Sequence, residues 1–351
     1  MVSRAGAASR TAELRSPSGL LEATFVPRTG MLGWSLRDGD DELLGHPVSL
    51  ERYAETGEPT GIPLLHPWAN RLASPEYEIA GRRVVLDMNA PNVLKDPNGL
   101  PLHGLAAASP HWEVLDEEPP RLRARLDYAA WPELERGFPF PHLLELTVTL
   151  ADDRLETATE LIPTGESPVP VAFGFHPFLR IPGLDRRQWH VELPVTSRMV
   201  LDERELPTGR SEPVHIPPGP LGDRTFDDCF DGLGSGEFAV SGAGRRLHVR
   251  FLEGYRFAQL FAPPGSDFIC FEPMTAPVNP FESEHTLLAE PVSRYRARFE
   301  VGVTKVWLGP ASVPTRVRSA VSVISRPPRP RVKKLYDQRT RTTSRFSKPI
   351  R

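Results

Sequence analysis

Thirty-nine prolines are scattered along this chain of 351 residues, so few stretches are free to form a long helix. Inside a helix proline removes a backbone donor and collides with the preceding turn. Short strands joined by turns are therefore favoured over bundles. From about Leu14 to about Val303 the sequence reads that way, with strands expected at Leu20–Val26, 83–86, 121–128, Leu143–Leu150, 156–162, 190–194, 238–240, 247–251, 257–261, 268–271 and 295–301. In the run 143–150, Leu144, Leu146, Val148 and Leu150 share one face, while Glu145, Thr147 and Thr149 lie on the other. Turn residues separate the runs: Pro-Asn-Gly at 97–99, Ala-Asp-Asp at 151–153 and Pro-Pro-Gly at 263–265. The pattern predicts an all-β fold, a large antiparallel β-sandwich, rather than βαβ units. There is no internal repeat and no long amphipathic helix.

Charge divides the chain. From Lys305 to the end, thirteen Lys and Arg face one acid, Asp337, a net of +12. With a formal net charge of -3 overall, the rest carries -15. A body so acidic is a poor partner for nucleic acid. Three parts are expected: a loose leader at 1–13, a β domain at 14–304, and a basic tail at 305–351 too polar to build a core. The tail's partner is left open between a nucleic-acid arm and a membrane-surface arm. Cys229 and Cys270 make neither a disulfide framework nor a zinc signature, and read as buried thiols in a reducing, cytoplasmic setting. No stretch has the apolar length to span a bilayer, and the leader lacks the apolar segment of a secretory signal.

Polar residues standing at the ends of apolar runs are the candidate chemistry. An isolated buried charge is costly unless it is paired or used. Asn70 and Arg71 lie in HPWANR, His103 in PLHG, His176 in FGFHPF, Asp227 in FDDCF and Glu272 in FICFEP. Glu272 is placed on one strand face with Phe268 and Cys270, and Pro273 is expected to stop the ladder. It reads as a general base tuned by apolar surroundings. His176 reads as a general acid, with small Ala172 and Gly174 on its face leaving room for a ligand. His103, beside Gly104, is placed to orient a substrate oxygen or act as a second acid. Arg71 offers fixed donors for a sugar oxygen or a carboxylate. Asp227 or Asp228 is placed to accept from a diol, with turn capping as the alternative. Trp68 is a candidate flat wall for a sugar face, with a core role as the alternative. His66 is the weakest candidate, read as structural. No metal-ligand spacing, phosphate loop or nucleophile elbow is present.

Taken in order, these segments resemble the aldose 1-epimerase (galactose mutarotase-like) family. GIPLLHPWANRLASPEYEIAGRRV is similar to its Pro-Trp-x-Asn-Arg segment, LPLHG to its Leu-His-Gly element, and FGFHPFL to its histidine-proline-aromatic element. LPTG at 206–209, FDDCF at 226–230 and CFEPMTAPVNPF complete the series. The resemblance implies a galactose mutarotase-like supersandwich and interconversion of the α- and β-anomers of a free hexose, without cofactor or metal. It implies Glu272 as base, His176 as acid, and Arg71, His103 and Asp227 as substrate contacts; Asn70 and Trp68 are read beside them as further substrate contacts. His66 has no counterpart, and the tail lies outside the resemblance. Two expectations follow: Glu272 and His176 face each other across the width of a pyranose, and ionised Glu272 raises the histidine's pKa. The alternatives are a hexose-6-phosphate 1-epimerase, with Arg180 or Arg210 at the cleft mouth, and a non-catalytic carbohydrate-binding module.

Overall fold

The computed structural model describes residues 10–305. The basic tail beyond Lys305 and most of the leader lie outside the described residues. The first strand, Ala12–Arg15, starts two residues before the expected onset.

Two large sheets dominate. A nine-stranded sheet runs Gly219–Pro220, His190–Glu192, Phe238–Gly242, Arg245–Glu253, Tyr295–Lys305, Arg154–Pro163, His142–Leu150, Arg121–Asp127, Glu113–Glu118. The second sheet runs Pro207–Pro213, Val195–Leu201, Phe226–Leu233, Phe257–Ala262, Ile269–Met274, Gly174–Phe175, Leu64–Leu65, with Phe178–Leu179 also pairing to Ile269–Met274. A four-stranded sheet begins with Ala12–Arg15 and Leu21–Val26. The pairings between these strands are antiparallel. This is the β-sandwich that the alternation predicts.

The core lies between the two large sheets. Phe175 meets Phe299 at a ring separation of 5.0 Å, and Phe238 meets Phe271 at 5.6 Å. In His142–Leu150 the inward face is the one read from the sequence: Leu144, Leu146, Val148 and Leu150 are buried, and His142 joins them. Because side chains alternate along a strand, Phe271 in the core puts Cys270 and Glu272 on the opposite face of the second sheet. That face carries the site.

Three local readings are corrected. Pro273 does not stop the ladder: it sits opposite Ala258, and the strand continues to Met274. Asp227 and Asp228 are not in a turn but inside the strand Phe226–Leu233, opposite Phe261 and Leu260. Gly174 does not make room for a ligand. A Cβ there would lie 2.7 Å from the Pro273 carbonyl oxygen, so its smallness serves close approach of two strands.

Candidate active site

Strand register brings the site together. Gln259 stands directly across from Glu272, with Cys229 on the other side of Gln259, and Asp227 stands across from Phe261. Three adjacent strands thus project Asp227, Gln259 and Glu272 onto one face. His176 follows the two-residue strand Gly174–Phe175, and its own N–H is held by the Pro63 carbonyl. Its ring stacks on Phe178, with centroids 4.4 Å apart, and meets His103 and Phe261 edge-on.

Loops supply the remaining groups. Asn70 and His103 both have left-handed backbones, with φ of 58° and 59°, a region that non-glycine residues enter rarely. The His103 N–H donates to the Asn70 carbonyl at 2.8 Å, which locks the two strained residues to each other. Gly104 follows at φ +79°, and a Cβ there would lie 2.2 Å from the His66 carbonyl oxygen. Glycine is therefore required where the loop crosses His66.

These groups line one cleft of about 470 Å³, within the roughly 300–1,000 Å³ usual for small-molecule sites. Its lining includes Asn70, Arg71, His103, His176, Asp227 and Glu272, six of the seven residues expected from the sequence. Trp68 is the exception. It is fully buried, edge-on to Phe281 in the main core, and forms no wall of this cleft. The bridge from Trp68 to Ala172 pins its backbone to the strand that leads to His176, so its body fills the layer behind the site. His66 is likewise interior, with Nε2 2.8 Å from Nε2 of His142. Asp228 turns to Arg198 at 2.8 Å, leaving Asp227 as the aspartate in the cleft. Neither Arg180, which faces Asp267 at 3.5 Å, nor Arg210 is part of the lining.

Glu272 and His176 are neighbours, not groups facing each other across a sugar: Oε1 lies 3.3 Å from Nε2. Glu272 Oε2 is buried and has no hydrogen-bond partner among the described residues. Burial pushes the Glu272 carboxyl well above its ordinary range, with the nearby Asp227 charge adding and Arg71 opposing. Burial also pushes the His176 imidazole down, to about 3, against the expectation that an ionised Glu272 would raise it. Desolvation of both charged forms exceeds their mutual attraction here. Both shifts act against the charged forms of the pair. His103 is also held well below its ordinary value, by burial first and then by His176 and Arg71. Asp227 is an exposed residue whose carboxyl is raised to about 6 by partial desolvation at the cleft and by Glu205, against Arg71 and a 2.6 Å hydrogen bond from Gln259 Nε2.

Arg71 is clamped on three sides. Its Nε donates to Asp96 at 3.0 Å, its Nη1 to Asn70 Oδ1 at 3.0 Å, and its Nη2 to Glu205. The sequence reading missed Asp96, Glu205 and Gln259. Gln259 carried the same signal as the others, a polar residue inside the apolar run FAQLFA. Asp96 showed only as a turn former before Pro-Asn-Gly, and nothing in the sequence singled out Glu205.

The chain is an antiparallel β-sandwich protein with a carboxyl and an imidazole side by side in one small-molecule-sized cleft. The aldose 1-epimerase family model matches residues 30–302, and the chain belongs to that family. Solved structures share the fold. A protein of Synechocystis sp. PCC 6803 is 22% identical, with 87% of this chain and 99% of that one covered and a TM-score of 0.70. A putative aldose 1-epimerase of Escherichia coli K12 is 17% identical, with 85% and 99% covered and a TM-score of 0.69. A galactose 1-epimerase of Lactobacillus acidophilus NCFM is 14% identical, with 84% and 94% covered and a TM-score of 0.64. Among the described residues no cluster of His, Cys, Asp and Glu is arranged to hold a metal ion, and no helix is long and apolar enough to cross a membrane.

Proposed function

We propose that this protein interconverts the α- and β-anomers of an uncharged aldose by general acid/base ring opening and closure. The observation that carries the reading is the side-by-side placement of Glu272 and His176, 3.3 Å apart, with Glu272 Oε2 unpartnered at the cleft. In a pyranose the anomeric hydroxyl and the ring oxygen are bonded to the same carbon. A base and an acid meant for those two oxygens must therefore stand next to each other.

Glu272 takes the proton of the anomeric hydroxyl while His176 gives one to the ring oxygen. The bond between C1 and the ring oxygen breaks and a carbonyl forms at C1. Rotation about C1–C2 presents the other face of that carbonyl. The ring hydroxyl then attacks, returning its proton to His176, and Glu272 returns its proton to the new anomeric oxygen. Protons balance over the cycle. Working polarity needs a carboxylate and an imidazolium, and burial opposes both charged forms. Sugar hydroxyls that donate to Glu272 favour its ionised form and bring the pair to that polarity. Arg71, His103, Asn70 and Asp227 orient the remaining hydroxyls, and Gln259 holds Asp227.

Polarimetry of freshly dissolved α-glucose and α-galactose tests this. The protein is expected to speed the drift of optical rotation well beyond the buffer rate, and Glu272→Gln is expected to remove that excess. An undiminished rate in the variant would exclude Glu272 as the base. Sugar binding with no acceleration by the unaltered protein would mark a binding module instead.

A further inference from the structure

Glu205 lines the cleft but has no part in the proton transfers. It reaches Arg71 from the loop between Val195–Leu201 and Pro207–Pro213, which joins the edge strand of the second sheet to its neighbour. Asp202 Oδ1 accepts from the N–H groups of Arg204 and Leu206 at 2.8 and 2.9 Å, folding that loop tightly. Arg204 Nη2 then donates to the Ala73 carbonyl at 3.0 Å, tying the loop to the segment that carries Arg71. Glu205 itself has a left-handed backbone, φ 60°, which glycine or asparagine would adopt at lower cost. The fold thus holds a charged side chain at a strained position above the site.

Burial of Arg71 does not need it. Asp96, whose side chain is fully buried, already compensates the guanidinium at 3.0 Å. The other oxygen of Asp96 accepts from the N–H groups of Asn98 and Leu100, so this pairing is complete. A second carboxylate, 40% exposed, turns a neutral pair into a group with net negative charge. Among the described residues lining the cleft, Arg71 is the one Arg or Lys, against Glu58, Glu205, Asp227 and Glu272.

We propose that Glu205 is a specificity-determining residue: by pairing with Nη2 of Arg71 at the cleft it restricts the site to uncharged aldoses and turns away sugar phosphates and uronic acids. The proposal rests on the reading of this cleft as an aldose site. An anionic sugar entering it meets a carboxylate where its own charge needs a guanidinium. Like charges brought together without solvent oppose binding strongly, and a charge-assisted contact with Arg71 would be among the strongest available.

The test compares kcat/KM for glucose, glucose 6-phosphate and glucuronate in the unaltered protein, in Glu205→Gln and in Glu58→Gln. Glu205→Gln keeps the shape of the side chain and removes its charge. Glu58→Gln removes an equal charge from the same cleft, but Glu58 is paired with Arg52 and leaves Arg71 covered. Glu205→Gln is expected to raise kcat/KM for an anionic sugar relative to glucose by about tenfold or more, chiefly through KM. Glu58→Gln is expected to move that ratio by less than about threefold. An unchanged ratio in Glu205→Gln, or an equal shift in both variants, overturns the proposal. Inactivity of the folded, unaltered protein on every sugar would instead sink the epimerase reading. Equilibrium titration with glucuronate then decides the role of Glu205: about tenfold tighter binding by Glu205→Gln upholds it, and equal binding refutes it.

Discussion

The molecule contains two buried pairs of histidines, and they behave oppositely. His66 and His142 lie in the sandwich interior, both fully buried. His142 Nδ1 donates to the Phe140 carbonyl at 2.6 Å, so its Nε2 must accept from His66 Nε2. Tyr128 stacks on His142 and Phe138 packs edge-on against both rings. His103 and His176 are nearly as buried, at 8% and 6% exposure. They do not bond to each other: their rings meet edge-on at 5.6 Å, and His176 turns to Glu272. Burial lowers the pKa of all four imidazoles. A depressed pKa therefore does not distinguish a working histidine from a structural one. Access to a shared space and a carboxylic partner do.

The sharpest way to break this contrast is to remove the partner. Glu272→Gln or His176→Asn should lower the polarimetric rate by about 10²–10⁴-fold while the fold melts cooperatively near the temperature of the unaltered protein. His142→Ala should do the reverse. It opens a core cavity and leaves the Nε2–H of His66 without an acceptor, at a cost of about 3 kcal/mol measured by urea unfolding. The folded fraction should keep its rate on a free aldose to within a few-fold. A large loss of rate at unchanged stability would show that the interior pair takes part in the chemistry.

Acid sharpens the contrast further. His142 titrates at about 4 in the folded protein against 6.5 when exposed, so its contribution to stability is complete above 6.5 and is lost as pH falls through the folded value. Between pH 7 and pH 5 that single group should remove about 2 kcal/mol, and His142→Phe should flatten the fall by that amount. Asp227 has the opposite sign. Its folded pKa, about 6, lies above the ordinary 3.8, so its contribution is complete below 3.8 and is lost as pH rises through 6. Asp227→Asn should accordingly be the more stable form at pH 8, by an amount that solvent screening keeps small because Asp227 is exposed, with the gain fading toward pH 4 while its activity falls. Thermal melts across that range would read both signs.

Much of this was legible in the residues. Alternation in LLELTVTL gave the inward face of an interior strand, and the Ala-Asp-Asp turn at 151–153 marked its far end. Glu272, His176, Arg71, His103, Asn70 and Asp227 stood out because each was polar where the local pattern demanded apolar. The same test misplaced Trp68, since an aromatic residue beside polar ones fits a core as well as a cleft. His66 fits the same pattern as His176, since both follow apolar runs and precede proline, and its reading as structural agrees with its full burial beside His142. Which of them opens to the cleft depends on loops brought from elsewhere in the chain. Asp96 and Glu205 escaped for the same reason: their importance comes from meeting Arg71, and contact across such distances in sequence leaves no local mark. The pKa of His176 was misjudged because attraction to Glu272 can be guessed from proximity, whereas the depth of its burial cannot.

The carbonyl of His66 accepts from the N–H groups of both Leu105 and Ala106, just beyond His103 and Gly104. His66 is thus the mooring for the loop that carries His103. Repacking around its imidazole would tug that loop through the main chain, so variation deep in the interior has a route to the shape of the cleft without touching a single one of its walls.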